Sequence, residues 1–254
     1  MKLRIATWNI HKGVSALGRR PRVHGIKQAL AGIGADIVFL QEVQGRHDLL
    51  AIKHASWPSQ SQHEFLAADT QHSAYGKNAV YDHGHHGNAL LSNFPITAVR
   101  NHDVSDHAFE SRGILHCIVT IDSQIIHCYV VHLGLFAGSR LRQTDALIEA
   151  VSTSAPSDVP LLIAGDFNDW RNRADNLLAE RLGMTEVFGG IGGGGGAPGR
   201  SFPSGLPLFR LDRIYVRGFE VERAEVHFGA PWSKISDHAA LSAHLLRTGT
   251  AHGR

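Results

Sequence analysis

Four short polar clusters carry residue types able to do chemistry, and each stands where an apolar run ends: Trp8-Asn9, Gln41-Glu42, Gly165-Asp166-Phe167-Asn168 and Ser236-Asp237-His238. Carboxylates and amides placed directly after apolar runs are costly to bury unless they hold something. In sheet proteins ligands gather at strand ends. Oxygen donors from Asp, Glu and Asn suit a hard cation, and Mg²⁺ keeps most of its water while taking one or two protein carboxylates. Glu42 with Asn9 supplies such a set, and Mn²⁺ is an expected substitute. A fifth cluster, Arg210-Leu211-Asp212-Arg213-Ile214, sets Asp212 in the middle of an apolar strand pattern. A carboxylate there can fix the tautomer of an imidazole and stabilise its protonated form, and the imidazole expected to pair with it is His238. A sixth is His132 in VVHLG, again at a strand terminus.

The elements that must position these groups follow from the hydrophobic pattern. Residues 3–9 read as a strand, 22–33 as a helix with Val23, Ile26, Leu30 and Ile33 on one face, and 36–43 as a short buried strand. This β–α–β opening gives a sheet with helices packed on it. The middle of the chain changes character. Residues 87–94, 96–104, 113–122 and 124–134 read as strands separated by turn residues, the last two as a hairpin around Asp122-Ser123. Tight turns between consecutive strands imply antiparallel pairing. A helix over 139–152, with Ser139 as its N-cap, precedes a strong strand at 160–168 and a charged helix at 172–182. Strands at about 210–217, 219–228 and 239–246 close the chain. The glycine-rich run at 189–199 reads as a mobile loop rather than a linker or phosphate loop, because no Lys-Ser/Thr and no evident helix follow it.

Composition excludes several classes. The chain has 254 residues, 43% of them hydrophobic and 19% charged, as expected of a globular protein with a full core. The net charge of +2 is too near neutral to argue alone for nucleic acid or an anionic membrane. No apolar run approaches the roughly 20 residues that span a bilayer, and the N-terminus turns polar too early for a secretory signal. Two cysteines rule out a disulfide scaffold and a four-Cys zinc module. A reduced, cytoplasmic protein and a monomer are expected. Cys117 and Cys128 face each other if the hairpin turns at Asp122-Ser123, as free core thiols in that compartment. The 18 histidines are the oddity. Of these, His83, His85 and His86 are expected in a polar loop near the site mouth rather than as zinc ligands.

Together, TWN at 7–9, LQEV at 40–43, VHLG at 131–134, GDFN at 165–168, LDRIYV at 211–216 and SDH at 236–238 resemble the endonuclease/exonuclease/phosphatase superfamily, the DNase I-like group. The resemblance runs from residue 3 to about 246, with six motifs in the family's order. The stretches NIHKG (9–13), YDHGHHGNALLSNFPI (81–96), SRGILHC (111–117) and LPLFRLDRIYVRG (206–218) are similar to an uncharacterised bacterial subgroup, and to the domain found in proteins of glycolipid-anchor remodelling. The resemblance implies an α/β fold, a four-layer α/β/β/α sandwich of two mixed, mainly antiparallel sheets, in a single domain over 1–254. It also implies Mg²⁺-dependent hydrolysis of a phosphate ester. On this footing Asn9, Glu42 and Asp237 lie at the metal. Asp166 orients or activates the attacking water, Asn168 contacts the scissile phosphate, and His238, held by Asp212, acts at the phosphate as a cation or a general base. His132 matches a phosphate-contacting position of the sphingomyelinase branch. Many members carry an acidic residue two positions after the first Asn. Here that residue is His11, so a second metal ligand is not carried over and His11 contacts phosphate instead. Asn88 matches a position near the active site. Arg112 meets either a substrate phosphate or an acid such as Glu110.

Three functions follow. A nuclease-type phosphodiesterase requires a basic groove, and Arg19, Arg20, Arg22 and Lys27 form the one dense basic run. A lipid or small-molecule phosphoesterase is favoured by His132 and the lipid-anchor resemblance, with Trp57, Trp170 or Trp232 available at an interface. A binding module that lost catalysis would have lost Glu42, Asp166, Asp212 or His238, and all four are present.

Overall fold

The computed structural model describes residues 1–15, 20–67, 71–107, 110–189 and 199–248. Most of the glycine-rich run, 190–198, and Arg19 of the basic run lie outside them. The strands are β1 (Lys2–Asn9), β2 (Ile37–His47), β3 (His72–Tyr81), β4 (Gly84–Ser92), β5 (Ile96–Asp103), β6 (Gly113–Ile121), β7 (Gln124–His132), β8 (Leu161–Asp166), β9 (Thr185–Glu186), β10 (Asp212–Arg217), β11 (Phe219–His227) and β12 (Ala240–Arg247). The helices are α1 (Val23–Ile33), α2 (Asp48–Lys53), α3 (Gln62–Ala67), α4 (Ala137–Ser154) and α5 (Arg173–Leu182). The strands form two six-stranded sheets, β11-β12-β1-β2-β4-β3 and β5-β6-β7-β8-β10-β9. Pairing is antiparallel except between β1 and β2 and between β7 and β8.

The alternation of side chains across each strand decides the layers. Leu3, Ile5, Ile37, Phe39 and Leu90 of the first sheet meet Leu115, Cys117, Val130, Leu162 and Ile214 of the second in one shared core. The opposite face of the first sheet buries Ala6, Trp8, Val38 and Leu40 under α1 and α3. The opposite face of the second buries Tyr129, Val131, Ile163 and Tyr215 under α4 and α5. The result is the expected four-layer α/β/β/α sandwich. The apolar stripe of α1 is the one read from sequence, and Gly34 ends that helix in the left-handed region at φ 62°.

The β6–β7 hairpin turns on Asp122 and Ser123, both at positive φ, and sets Cys117 opposite Cys128 as free, buried thiols. Two expectations need correction. Ser139 does not cap α4: the helix begins at Ala137, and the buried Ser139 hydroxyl donates to Asp106 Oδ2 at 2.6 Å. His85 and His86 are not in a loop. They belong to β4, where His85 Nδ1 lies 3.0 Å from the Tyr75 hydroxyl.

Some of the histidines are packing residues. His116 stacks on Tyr129 with ring centroids 4.2 Å apart, and its Nε2 lies 3.0 Å from Nδ1 of His127. Burial lowers the pKa of nine histidines from 6.5, bringing His86 and His116 to about 4. Burial raises only two carboxylates among the described residues, Asp166 and Glu186. An imidazole held neutral in the fold is protonated in the unfolded chain below about pH 6.5, so the unfolded state binds more protons there. The contribution of these nine rings is therefore full above that value and falls as the pH drops toward about 4, opposed by the fewer groups whose pKa is raised, His11, His238, Asp166 and Glu186. The urea midpoint should be lower at about pH 5 than at about pH 7.5, and an unchanged midpoint would show that these rings do not govern acid stability.

Candidate active site

Strand direction brings the polar clusters to one end of the sandwich. Parallel β1 and β2 pair Asn9 with Gln41, and β12, antiparallel to β1, begins just after His238. In the second sheet parallel β7 and β8 pair His132 with Asp166, and antiparallel β10 sets Asp212 opposite the same Asp166. The glycine of GDFN is required by packing. A Cβ on Gly165, whose φ is 150°, would stand 1.9 Å from the Val131 carbonyl oxygen.

At the centre is a buried network. Asn9 Nδ2 donates to Asp166 Oδ2 at 3.1 Å, and the Asn168 backbone N–H donates to Asp166 Oδ1 at 2.9 Å. His132 Nε2 and His238 Nε2 approach Asp166 Oδ2 to 3.6 and 3.9 Å. His238 Nδ1 lies 2.7 Å from Asp212 Oδ2. The His238 backbone is pinned as firmly, since its carbonyl accepts from Trp8 Nε1 at 2.8 Å. Ser236 Oγ, which donates to the Asn9 carbonyl at 2.7 Å, joins the closing motif to the end of β1.

Electrostatics separate these groups. Burial opposes charging the His238 ring, but the Asp212 carboxylate, helped by Asp166 and Asp237, raises its pKa to about 10. The ring is therefore a cation at neutral pH. Burial, and then the Asp212 charge, push Asp166 up to about 6. His132 is held neutral by burial and by the Arg112 and His238 charges.

Around this network lie the remaining residues. Glu42 sits where the β2–β4 register shifts, in the left-handed region at φ 55°, with the Lys12 ammonium 3.9 Å from its Oε2. Such a conformation is costly for a non-glycine residue and clusters at functional sites. His11 Nδ1 lies 3.1 Å from Asp237 Oδ2, and this hydrogen bond raises the His11 pKa against the opposing effect of burial. Arg112 is engaged: its guanidinium donates to Glu110 Oε1 at 3.1 Å and to the Leu133 carbonyl at 3.3 Å. Asn88 ties the sheets together through its Nδ2, 2.8 Å from the Gly113 carbonyl, and its buried Oδ1 has no partner among the described residues.

Lys12 escaped the sequence reading, and His86 was read only as part of a polar loop near the site mouth. Lys12 is presented by a tight turn, His11–Gly13, whose three residues all have positive φ. His86 responds to the charges of Lys12, Glu42 and Arg112, and its buried Nδ1 has no hydrogen-bond partner among the described residues. The period of two in β4 could have found His86, because it shares a face with Asn88.

The donor set fits a hard divalent cation. Glu42, Asp237 and the side-chain Oδ1 of Asn9 all offer oxygen donors, and Asn9 Oδ1 accepts only the His11 backbone N–H at 3.1 Å among the described residues. Asp166, Asp212 and His238 also bring ligand atoms within 4.8 Å of one another. The 2.7 Å bond between His238 and Asp212 makes those two an acid–imidazole pair rather than two ligands.

Residues 6–238 match the model of the Endonuclease/Exonuclease/phosphatase family. The chain belongs to that family. It is 43% identical over 246 residues to the Uncharacterized protein YbhP of Escherichia coli (strain K12), covering 95% of each chain. Among solved family structures, the endonuclease/exonuclease/phosphatase from Bacteroides vulgatus superposes with a TM-score of 0.77 at 17% identity, covering 97% of this chain and 99% of that one. D. rerio TDP2 complexed with single strand DNA product gives 0.70 at 18% identity, with 96% and 99% covered. At these identities the structural neighbours establish the family fold. No helix of the described residues is long and apolar enough to cross a membrane.

Proposed function

We propose that this protein hydrolyses phosphate esters, and phosphodiesters in particular, with a divalent cation, Mg²⁺ first, held by Glu42, Asn9 and Asp237. The observation that carries this reading is the buried Asp212–His238 pair at 2.7 Å, set within 3.9 Å of an Asp166 that Asn9 and Asn168 both grip. When bound, such a cation neutralises charge on the phosphoryl oxygens and the leaving oxygen. The chain supplies the rest. Asp166, made more basic by burial but ionised above about pH 6, orients the attacking water and accepts its proton. The water oxygen bonds to phosphorus as the ester P–O bond breaks, and the leaving oxygen takes up a proton from solvent. Protonated His238, held by Asp212, offers its Nε2–H to the phosphorane oxygens. Asn168 and neutral His132 contact the phosphate from the second sheet. His11 acts through Asp237, Arg112 through Glu110 and the Leu133 carbonyl, and Asn88 holds the sheets at the site floor.

The test is incubation of purified protein with bis(p-nitrophenyl) phosphate, plasmid, oligonucleotides, phospholipids and phosphoinositides, first with Mg²⁺ and then with chelator. Turnover that chelation abolishes and Mg²⁺ or Mn²⁺ restores is expected. Inertness across the whole panel would favour a non-catalytic binding module.

A further inference from the structure

We infer that the rim of this site docks on an anionic lipid surface, so that the phosphate ester it hydrolyses is carried by a lipid. This inference rests on the hydrolytic reading above. The chain leaving β7 past His132 runs directly into Leu135 and Phe136, and the chain leaving β8 past Asn168 runs into Trp170. The Asn168 side chain donates to the Leu133 carbonyl at 2.9 Å, so these two segments are joined at the site itself. Leu135, Phe136 and Trp170, with Leu141 from α4, are each more than half exposed, Phe136 to 64%. They border a cavity of about 220 Å³ floored by Leu133 and Phe167. Large apolar side chains gathered around one opening mark an interaction surface, whereas scattered ones do not.

A second apolar segment flanks the other side. The Ser204 N–H donates to the Asp237 carbonyl and the Ala239 N–H to the Ser201 carbonyl, both at 2.7 Å, and the Phe202 ring centroid lies 5.0 Å from that of His238. The tip of this loop presents Leu206, Leu208 and Phe209 to solvent. The candidate catalytic groups therefore lie between two apolar projections.

Charge selects the partner. Arg171 and Arg173 are exposed beside the cavity and carry its outward positive charge, whereas Arg140 is buried beneath the Trp170 ring, 5.7 Å from its centroid, and donates to the Gly134 and Leu135 carbonyls. The acid among them, Asp169, is turned inward, accepting the backbone N–H groups of Arg171 and Ala174. The outward charge of this rim is positive. Apolar side chains with interspersed arginines match the boundary between acyl chains and anionic headgroups. A single-stranded nucleic acid needs stacking faces along a cationic track; here the aromatic Phe136, Trp170 and Phe209 are outnumbered by the exposed aliphatic Leu135, Leu141, Leu206 and Leu208, which offer no stacking face.

The experiment uses the full chain with Mg²⁺. Co-sedimentation is measured with phosphatidylcholine vesicles carrying about 30 mol % phosphatidylglycerol and with phosphatidylcholine alone. Release of phosphate-containing or headgroup product from the anionic vesicles is followed in parallel. The variants are Phe136→Ser with Leu141→Ser on one side and Leu208→Ser on the other, and bis(p-nitrophenyl) phosphate is the soluble reporter. Binding to the anionic vesicles and product release are expected, with the bound fraction falling about tenfold in each variant while reporter turnover stays within about twofold. The inference is overturned if the protein ignores anionic vesicles, if the variants bind them as well as the original chain, or if the variants instead lose cleavage of an oligonucleotide. Absence of Mg²⁺-dependent reporter turnover alongside normal vesicle binding would overturn the hydrolytic reading and leave the docking surface standing.

Discussion

Replacing His238 by alanine should lower turnover of a phosphodiester reporter by roughly two to four powers of ten, the usual contribution of a positioned proton-bearing group. The ring is buried, bonded through Nδ1 to Asp212, and aimed through Nε2 at Asp166. No other cation reaches that position among the described residues, since Arg112 is bound to Glu110 and Lys12 lies by Glu42. Asp212→Asn should cost nearly as much, because the ring loses the charge that keeps it protonated. The pair acts as a unit, so the double variant should be little worse than His238→Ala alone. Steady-state kinetics at saturating Mg²⁺, with circular dichroism to confirm folding, checks this. A single variant that keeps near-full turnover removes His238 from the reaction.

The second large effect belongs to Glu42. Glu42→Ala should reduce activity by about a thousandfold at fixed Mg²⁺, which corresponds to the several kcal/mol that a Lewis-acid cation supplies to a phosphoryl-transfer transition state. Alanine keeps the Cβ that makes this left-handed position costly, so the backbone strain is unchanged and folding energetics should change little. Raising Mg²⁺ should recover part of the loss, and titration calorimetry should show weakened cation binding in parallel. Unaltered cation affinity would place the ion elsewhere, with the Asp166, Asp212 and His238 cluster as the next candidate.

Much of this was legible in the sequence because the strands are strongly apolar and stop abruptly at polar residues. β8 is buried throughout and ends on Asp166, and β7 ends on His132. Strands that end that way announce both the sheet and the site. The hairpin at Asp122-Ser123 was readable from its turn residues, and with it the Cys117–Cys128 pairing. Illegible parts have physical reasons. β3 is half exposed along its length and shows no clean alternation. α2 and α3 are six residues each, too short for a helical period to register. The glycines around His85 and His86 read as loop punctuation, yet Gly87 is there because a Cβ would stand 1.9 Å from the Gly76 carbonyl oxygen across the β3–β4 ladder. The place of Lys12 beside Glu42 depends on a left-handed turn at residues 11–13 that composition does not reveal.

On the proposed function, oxygen donors from distant segments, Glu42, Asn9 and Asp237, converge on one hard cation next to an acid–imidazole pair, Asp212 and His238, that does not bind it. An anomalous difference map from crystals soaked in Mn²⁺ and phosphate tests this in a single measurement. One peak contacting Glu42, with Asn9 and Asp237 around it and the phosphate reaching toward His238 and Asn168, is the expected result. A peak seated between Asp212 and His238, or no peak near Glu42, would rule out Glu42, Asn9 and Asp237 as the cation's ligands.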